Sequence, residues 1–352
     1  MEQNKILTII IPTYNMEKYL RKCLDSLIVS EENMQRLEVL VVNDGSKDSS
    51  SQIAHEYQEK YSQTFRVIDK ENGNYGSCIN RGLKEATGKY VRILDSDDSY
   101  DTKNLSAYIA KMANVNADLI MSDFDVVNSD TVVKKYRYNL PHEILTDFSE
   151  MPPTIPMWMH AVAYRTEILK TMNYRQTEGI SYTDQEWIFL PMSKVKSFWY
   201  FPHVVYKYST GREGQTIDKE VFVKNIGQEV KGLLVMAEEY MQQIIPYSNP
   251  NIKYLQERLK YRMKAIYMSY LVRYSDKLPV SELQSVDTNL KEYPEIYKMT
   301  DEMIFHPKFP VRYVEFWHKR YIGNKLLFLI LRYLEQFIEF KERIKAQIRK
   351  YE

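Results

Sequence analysis

The chain has 352 residues, 44% of them hydrophobic and 27% charged, with 48 Lys and Arg against 47 Asp and Glu. That balance excludes intrinsic disorder and gives no net field for a nucleic-acid or polyanion partner, so any electrostatic function has to be local. Two cysteines, Cys23 and Cys78, lie in helix-like patterns without metal-ligand spacing and are expected to be reduced packing residues.

The start, Met1 to Lys5, is polar and leads into a strand-like run without the pattern of a secretory signal, from which a cytoplasmic protein is expected. Ile6 to Ile11 and Leu37 to Val42 are β-branched and apolar runs, as in strands covered on both faces of a parallel sheet, and Leu20, Leu24 and Leu27 recur between them at helical spacing. The alternation continues with a helix over Ile53 to Tyr61, a strand over Phe65 to Ile68, a helix over Ile79 to Ala86 and a strand over Tyr90 to Leu94. A βαβαβαβ order with right-handed crossovers predicts an α/β fold with a Rossmann-like, mostly parallel, doubly wound sheet. Past Gly214 the texture turns to long Tyr- and Lys-rich helical stretches, such as Leu255, Leu259, Met263, Ile266 and Tyr270. An α-helical C-terminal domain follows, which divides the chain into residues 1–215 and 216–352 with the boundary between Gly211 and Lys219.

Ligands of such sheets bind outside the carboxyl ends of the strands. Those ends read Pro12-Thr13-Tyr14-Asn15, Asn43-Asp44-Gly45-Ser46, Lys70-Glu71-Asn72-Gly73 and Asp95-Ser96-Asp97-Asp98, which places four polar segments on one rim. If the last strand continues through them, Asp95 and Asp97 share a side while Ser96 points away, a hard oxygen site for Mg²⁺ or Mn²⁺ that bridges to phosphate. The other reading of the same residues is an acidic turn that caps the next helix. Glycine-rich dinucleotide and Walker loops are absent, the six histidines show no metal spacing, and no Ser or Cys triad is supported.

In order and spacing, Ile10-Ile11-Pro12-Thr13-Tyr14-Asn15, Val42-Asn43-Asp44-Gly45-Ser46 and Asp95-Ser96-Asp97-Asp98 resemble the family 2 glycosyltransferases with the GT-A fold, over roughly residues 5 to 215. The resemblance implies a donor site made of Pro12, Thr13, Tyr14, Asn15, Asp44, Asn72, Gly73, Asn80, Arg81, Asp95, Ser96 and Arg212. Within it Thr13 and Tyr14 line the nucleotide base, Asp44 accepts from the uracil, and Asn72, Gly73, Asn80 and Arg81 close over the nucleotide. Asp95 contacts the ribose, and Asp97, with Asp95, holds a Mn²⁺ or Mg²⁺ cofactor on the diphosphate. In Gly179-Ile180-Ser181-Tyr182-Thr183-Asp184-Gln185-Glu186-Trp187, Asp184 matches the aspartate that takes the acceptor proton. Thr183 stands where the commoner form has a glutamate, which leaves Asp184 and Glu186 both open as the base. A simple N-terminal helix cap is the structural alternative for this pair. Tyr208 to Gln215 resembles the segment that folds over the diphosphate, with Arg212 as the partner of the leaving phosphate; a flexible turn with an exposed arginine is its other reading.

The implied activity is an inverting transfer of a hexose from a UDP-sugar to a hydroxyl of a glycan, glycolipid or glycoprotein. A nucleotidyltransferase and a silent scaffold docking partner transferases are the rivals: a glycosyltransferase slowly releases free sugar and UDP from the donor, a nucleotidyltransferase makes pyrophosphate, and a scaffold does neither. From His318 onward, nine Lys and Arg against four Glu accompany an apolar stripe through Leu327, Ile330, Leu334, Phe337 and Ile338. Such a helix packs on its own domain, on a twin subunit in a homodimer, or on the inner face of the plasma membrane as a peripheral contact.

Overall fold

The structure is a computed structural model that describes residues 5–212, 215, 218–244, 249–319 and 325–348; parts of the expected boundary stretch and of the basic C-terminal run lie outside the described residues. The chain divides into two compact units, Met1–Asp218 with Pro246–Leu255, and Lys219–Ile245 with Gln256–Glu352.

The first unit opens with β1 (Leu7–Thr13), α1 (Glu17–Asp25), α2 (Glu31–Arg36), β2 (Leu37–Asn43), α3 (Ser50–Lys60), β3 (Phe65–Asp69), α4 (Asn74–Glu85) and β4 (Tyr90–Ile93). These are the expected alternating elements, and β1 and β2 are buried at all seven positions, as sheet strands covered on both faces must be. The β1–β2, β2–β3 and β1–β4 pairings are parallel. The helix expected from Ile79 starts five residues earlier, at Asn74. Its apolar periodicity begins at Ile79, but its first turn is fixed from outside the segment: the Asp44 carboxylate accepts from the Gly73 and Asn74 N–H groups at 3.0 and 2.9 Å.

Beyond β4 follow β5 (Ser99–Tyr100), α5 (Thr102–Met112), β6 (Leu119–Asn128), β7 (Thr131–Tyr136), β8 (Thr146–Asp147), β9 (Val162–Arg165), α6 (Thr166–Thr171), α7 (Asp184–Trp187) and β10 (Ser197–Thr210). The sheet runs β3-β2-β1-β4-β9-β6-β10-β5, with β7 on β6 and β8 on β10. The parallel βαβ half thus continues into a mixed half, where β9 runs antiparallel between β4 and β6 and β10 lies parallel to β6. Parallel β1 and β4 and parallel β6 and β10 carry their carboxyl ends toward the same rim.

The second unit contains α8 (Lys219–Lys224), α9 (Ile226–Ile244), the greater part of α10 (Ile252–Met268), α11 (Val280–Leu290), α12 (Pro294–Asp301), α13 (Tyr313–Lys319) and α14 (Lys325–Ile348). One buried carboxylate joins three of its helices. Asp287 of α11 accepts from the Tyr267 hydroxyl, from Trp317 Nε1 at 2.6 Å and from His318 Nε2 at 3.2 Å, and His318 Nδ1 faces Asp301 at 2.6 Å. On α14, Leu331 is buried, Arg332 pairs with Asp276 and Glu335 with Arg273, so the side that packs on its own unit runs through 331, 332 and 335. Of the expected stripe, Ile330 and Phe337 are exposed instead, because the packed side lies elsewhere on the helix.

Burial, the largest single influence on His318, disfavours its charge, but the bonds to Asp287 and Asp301 outweigh it and raise the imidazole above its ordinary value of 6.5. A raised folded value contributes stability that is complete below the unfolded value and is lost as pH rises through the folded one. The Tm of the helical unit is therefore expected to fall as pH rises past the ordinary imidazole value of 6.5 and through the raised folded one, and His318→Asn to flatten that dependence. Thermal circular dichroism at several pH values checks it, and an unchanged slope in the variant would contradict the assignment.

Candidate functional site

The β1 and β2 ends are stapled to each other before any ligand arrives. The Asp44 N–H donates to the Thr13 carbonyl at 2.9 Å, the Asn15 N–H to Ser46 Oγ at 3.1 Å, and the Lys47 N–H to Asn15 Oδ1 at 2.8 Å. Asn15 sits at φ 53°, a left-handed conformation that asparagine tolerates and that turns the chain at the sheet edge. Pro12 and Thr13 are buried, and Tyr14 stands exposed beside them.

Asp44 is almost wholly buried and is engaged by its own fold: besides the Gly73 and Asn74 N–H groups it accepts Lys70 Nζ at 2.6 Å. Asn72 Nδ2 donates to the Asp44 carbonyl at 3.0 Å, so Asn72 and Gly73 are tied to the same strand end. Asn80 is held by Gln176, whose carbonyl it bonds at 2.9 Å and whose N–H it accepts at 2.8 Å, and by Glu178 at 2.8 Å. Arg81, expected over the nucleotide, is exposed and pairs along α4 with Glu85 at 3.1 Å; the structure does not bring it to the acidic cluster. About two turns of helix separate it from Asn74 at the rim, and Glu85 at i+4 is its partner.

The acidic segment corrects the alternation argument. Strand β4 ends at Ile93, and residues 95 to 98 form a turn closed by the Asp98 N–H on the Asp95 carbonyl at 3.0 Å. What orients the carboxylates is therefore a set of tertiary bonds. Tyr75 donates to Asp95 Oδ1 at 2.6 Å, Tyr206 to Asp98 Oδ2 at 2.5 Å, and the Ser209 N–H to Asp98 Oδ1 at 2.6 Å. Ser96 is buried in the same turn. The reading of this segment as a helix cap does not hold either, since α5 is capped by Asp101, which accepts from the Asn104 N–H at 3.1 Å.

Asp97 pairs with Arg212 Nε at 2.8 Å, and the guanidinium also lies over the Tyr19 ring at 5.6 Å. Gly211, at φ 92°, makes the turn after β10 that returns Arg212 to the rim; a side chain there would meet Asn128. Burial and then the charge of Asp97 raise the Asp95 carboxyl to about 7, with Asp184 adding to the shift, and burial with Asp97 and Asp95 raises Asp98 well above its usual range.

Asp184 and Glu186 part company. Glu186 is fully buried and accepts the Thr177 N–H at 2.8 Å, an anchor for the loop before α7. Asp184 is half-buried, accepts Gln185 Nε2 at 3.0 Å, and lies close enough to raise Asp95, Tyr75 and Tyr208 electrostatically. Gly76 makes this approach available: a Cβ there would sit 2.1 Å from the Thr177 carbonyl oxygen.

Four further residues belong to the site and carry no motif. Tyr75 and Tyr206 are the hydroxyl donors already described. His160 is buried, and burial together with the Arg92 charge lowers its imidazole to about 3, so it is neutral. Its Nδ1 has no hydrogen-bond partner among the described residues, and a ring nitrogen lies within 4.8 Å of carboxylate oxygens of Asp95 and Asp98. Arg92, fully buried beneath, donates to Ser122 Oγ at 3.1 Å and to the His160 carbonyl, and faces the Tyr100, Tyr108 and Tyr206 rings at 5.3, 5.5 and 5.8 Å. An arginine inside an otherwise apolar strand was the one signal available in sequence.

Residues 8–172 match the family model described as glycosyl transferase family 2. An uncharacterized glycosyltransferase YibD of Escherichia coli (strain K12) is 30% identical over 220 residues, 59% of this chain and 62% of that protein. The glycosyltransferase GlyA of Streptococcus pneumoniae serotype 4 is 36% identical over 118 residues, 34% of this chain and 16% of that protein. In each case the match spans less than two thirds of the relative's own length. S. aureus TarS 1–349, solved in complex with UDP-GlcNAc, superposes with a TM-score of 0.62 at 21% identity, covering 83% of this chain and 81% of that one, which establishes the shared fold. Residues 8–172 are thus similar to the family 2 glycosyl transferases, and the α/β architecture that holds the acidic rim is the GT-A fold.

Proposed function

We propose that the chain transfers a hexose from a UDP-sugar to a hydroxyl of a glycan, glycolipid or glycoprotein, with inversion at the anomeric carbon and with Mn²⁺ or Mg²⁺ at the rim. The observation that carries this reading is the convergence of Asp95, Asp97, Asp184 and Arg212 outside the carboxyl ends of parallel strands. The cofactor fits the residues present: three carboxylates crowd a buried turn, two of them are pushed toward protonation by burial and by their neighbouring aspartates, and a buried imidazole nitrogen beside them has no partner among the described residues. Asp97 and Asp95 would hold the ion, with hard oxygen ligands of the kind Mg²⁺ and Mn²⁺ take. Bound there, it would offset the charge that develops on the departing diphosphate.

The chain's own residues supply the rest. Pro12, Thr13, Tyr14 and Asn15 are placed at the nucleotide base, with Asp44 supporting that floor through Asn72 and Gly73. Arg212 exchanges Asp97 for the diphosphate when the donor arrives, since its guanidinium matches phosphate as well as carboxylate. Asp184 takes the acceptor proton as the acceptor oxygen bonds to the anomeric carbon and the bond from that carbon to UDP breaks. Geometry favours Asp184 over Glu186, whose carboxylate is buried on a backbone N–H. The UDP in this reading draws on TarS, which was solved with UDP-GlcNAc. We place the reaction in the cytoplasm, at the inner face of the plasma membrane, and assign the donor site to residues 1–215 and surface attachment, to membrane or to a twin subunit, to 216–352.

Calorimetry of UDP with Mn²⁺ is expected to give binding that chelator or Asp97→Ala weakens at least about tenfold, because the diphosphate otherwise meets bare carboxylates. Equal affinity in all three settings would remove the metal from the site. Asp184→Asn is expected to keep UDP affinity and lower turnover by about 10²-fold, the scale of a lost general base, whereas Glu186→Gln is expected to lower Tm and leave the chemical step of the folded protein nearly intact. Donor hydrolysis and acceptor turnover of the two variants, measured beside thermal melts, distinguish them; the reverse pattern would make Glu186 the base.

A further inference from the structure

Helix α14 leaves one side uncovered. Leu326, Leu329, Ile330, Tyr333, Phe337, Phe340 and Ile344 are exposed by 68, 46, 48, 65, 53, 60 and 39%. At 100° per residue they fall within an arc of about 100°, opposite the side that Leu331 and the Arg332 and Glu335 ion pairs bind to the helix's own unit. A contiguous apolar face of that size on a folded protein marks an interaction surface.

Charge selects the occupant. By helical register Lys341 borders the arc on one edge, while the paired Arg332 and Glu335 and the acidic Glu339 fall away from it, and the chain from His318 onward carries nine Lys and Arg against four Glu. Lys341 Nζ lies 4.4 Å from the Phe337 ring centre, its stem along the apolar face and its charge at the border. A second copy of this helix would set Lys341 beside its own kind, with no acid among the described side chains on either edge of a seam through 326, 330, 333, 337, 340 and 344. An anionic bilayer matches both features at once: acyl chains take the aromatic and aliphatic face, and headgroups take the basic border. No helix among the described residues is long and apolar enough to cross a membrane, so α14 would lie along the surface.

We propose that α14 is a membrane-surface helix that binds anionic phospholipid through Leu326, Tyr333, Phe337 and Phe340 with Lys341 at its border. It stands independently of the transfer reaction, since its residues lie far along the chain from every donor-site candidate. The full chain is expected to float with vesicles of phosphatidylcholine mixed with phosphatidylglycerol and to stay in solution with phosphatidylcholine alone, and to be released by high salt. Phe337→Glu with Phe340→Glu, and separately Lys341→Glu, are each expected to lower the bound fraction at least about tenfold while circular dichroism and UDP binding stay as in the parent. Equal binding to neutral vesicles, or none to anionic ones, overturns the proposal. So does a dimer in sedimentation that Phe337→Glu with Phe340→Glu converts to monomer without any vesicle binding by the parent, which would make the face a seam between two copies.

Discussion

Like-charge repulsion at one buried turn governs the architecture of the first unit. Asp95, Asp97 and Asp98 follow one another within four residues at the end of β4, and burial removes the water that would screen them. A turn of this composition persists only where the surroundings hold it. Tyr75 reaches it from α4, Tyr206 and the Ser209 N–H from β10, and Arg212 from the segment after β10. Each contact comes from a part of the chain far away in sequence, so the acidic turn joins the parallel half of the sheet to the mixed half. The raised carboxyl of Asp95 records what these donors leave uncompensated.

The frame around the turn uses charge sparingly and backbone often. Asp44 satisfies the first N–H groups of α4 and pairs with Lys70, which fixes the helix that carries Tyr75. Glu186 performs the equivalent service for the loop ahead of α7 through the Thr177 N–H, and Gly76 lets that loop approach α4. The result is that Tyr75 and Asp184, more than a hundred residues apart, face the same acidic turn. Arg92 supplies the floor: a buried guanidinium among three tyrosine rings is held by their faces and by the His160 carbonyl, and burial together with its charge keeps the neighbouring imidazole neutral.

The helical unit is organised by the opposite device. Asp287 gathers a tyrosine, a tryptophan and a histidine into one buried network that links α10, α11 and α13 and, through His318, α12. Its last helix, α14, keeps a narrow side for that packing and turns a broad aromatic and aliphatic face outward. A face bordered by Lys341, with no acid among the described side chains on its edges, answers to headgroups and acyl chains better than to a second helix.

The local pattern of the chain determined the parallel half of the sheet, because strands covered on both sides must read as continuous apolar runs, and it determined that polar strand ends share a rim. The motifs at those ends carried the resemblance to the family 2 glycosyltransferases, since they keep one order and spacing along the chain. Tertiary structure decided the rest. Periodicity could not show that α4 begins at Asn74, because the group that starts it is Asp44, thirty residues earlier. Nor could it show that residues 95 to 98 form a turn oriented by Tyr75 and Tyr206, that Arg81 turns to Glu85 while Arg212 turns to Asp97, or that Glu186 is buried and Asp184 is not. The strands after β4 are short, interrupted or paired with distant partners, so their order was written only in the sheet. Sequence spacing reports which residues can share a strand or a helix face; which carboxylate meets water, which meets an arginine and which meets a backbone N–H depends on neighbours that only folding brings near.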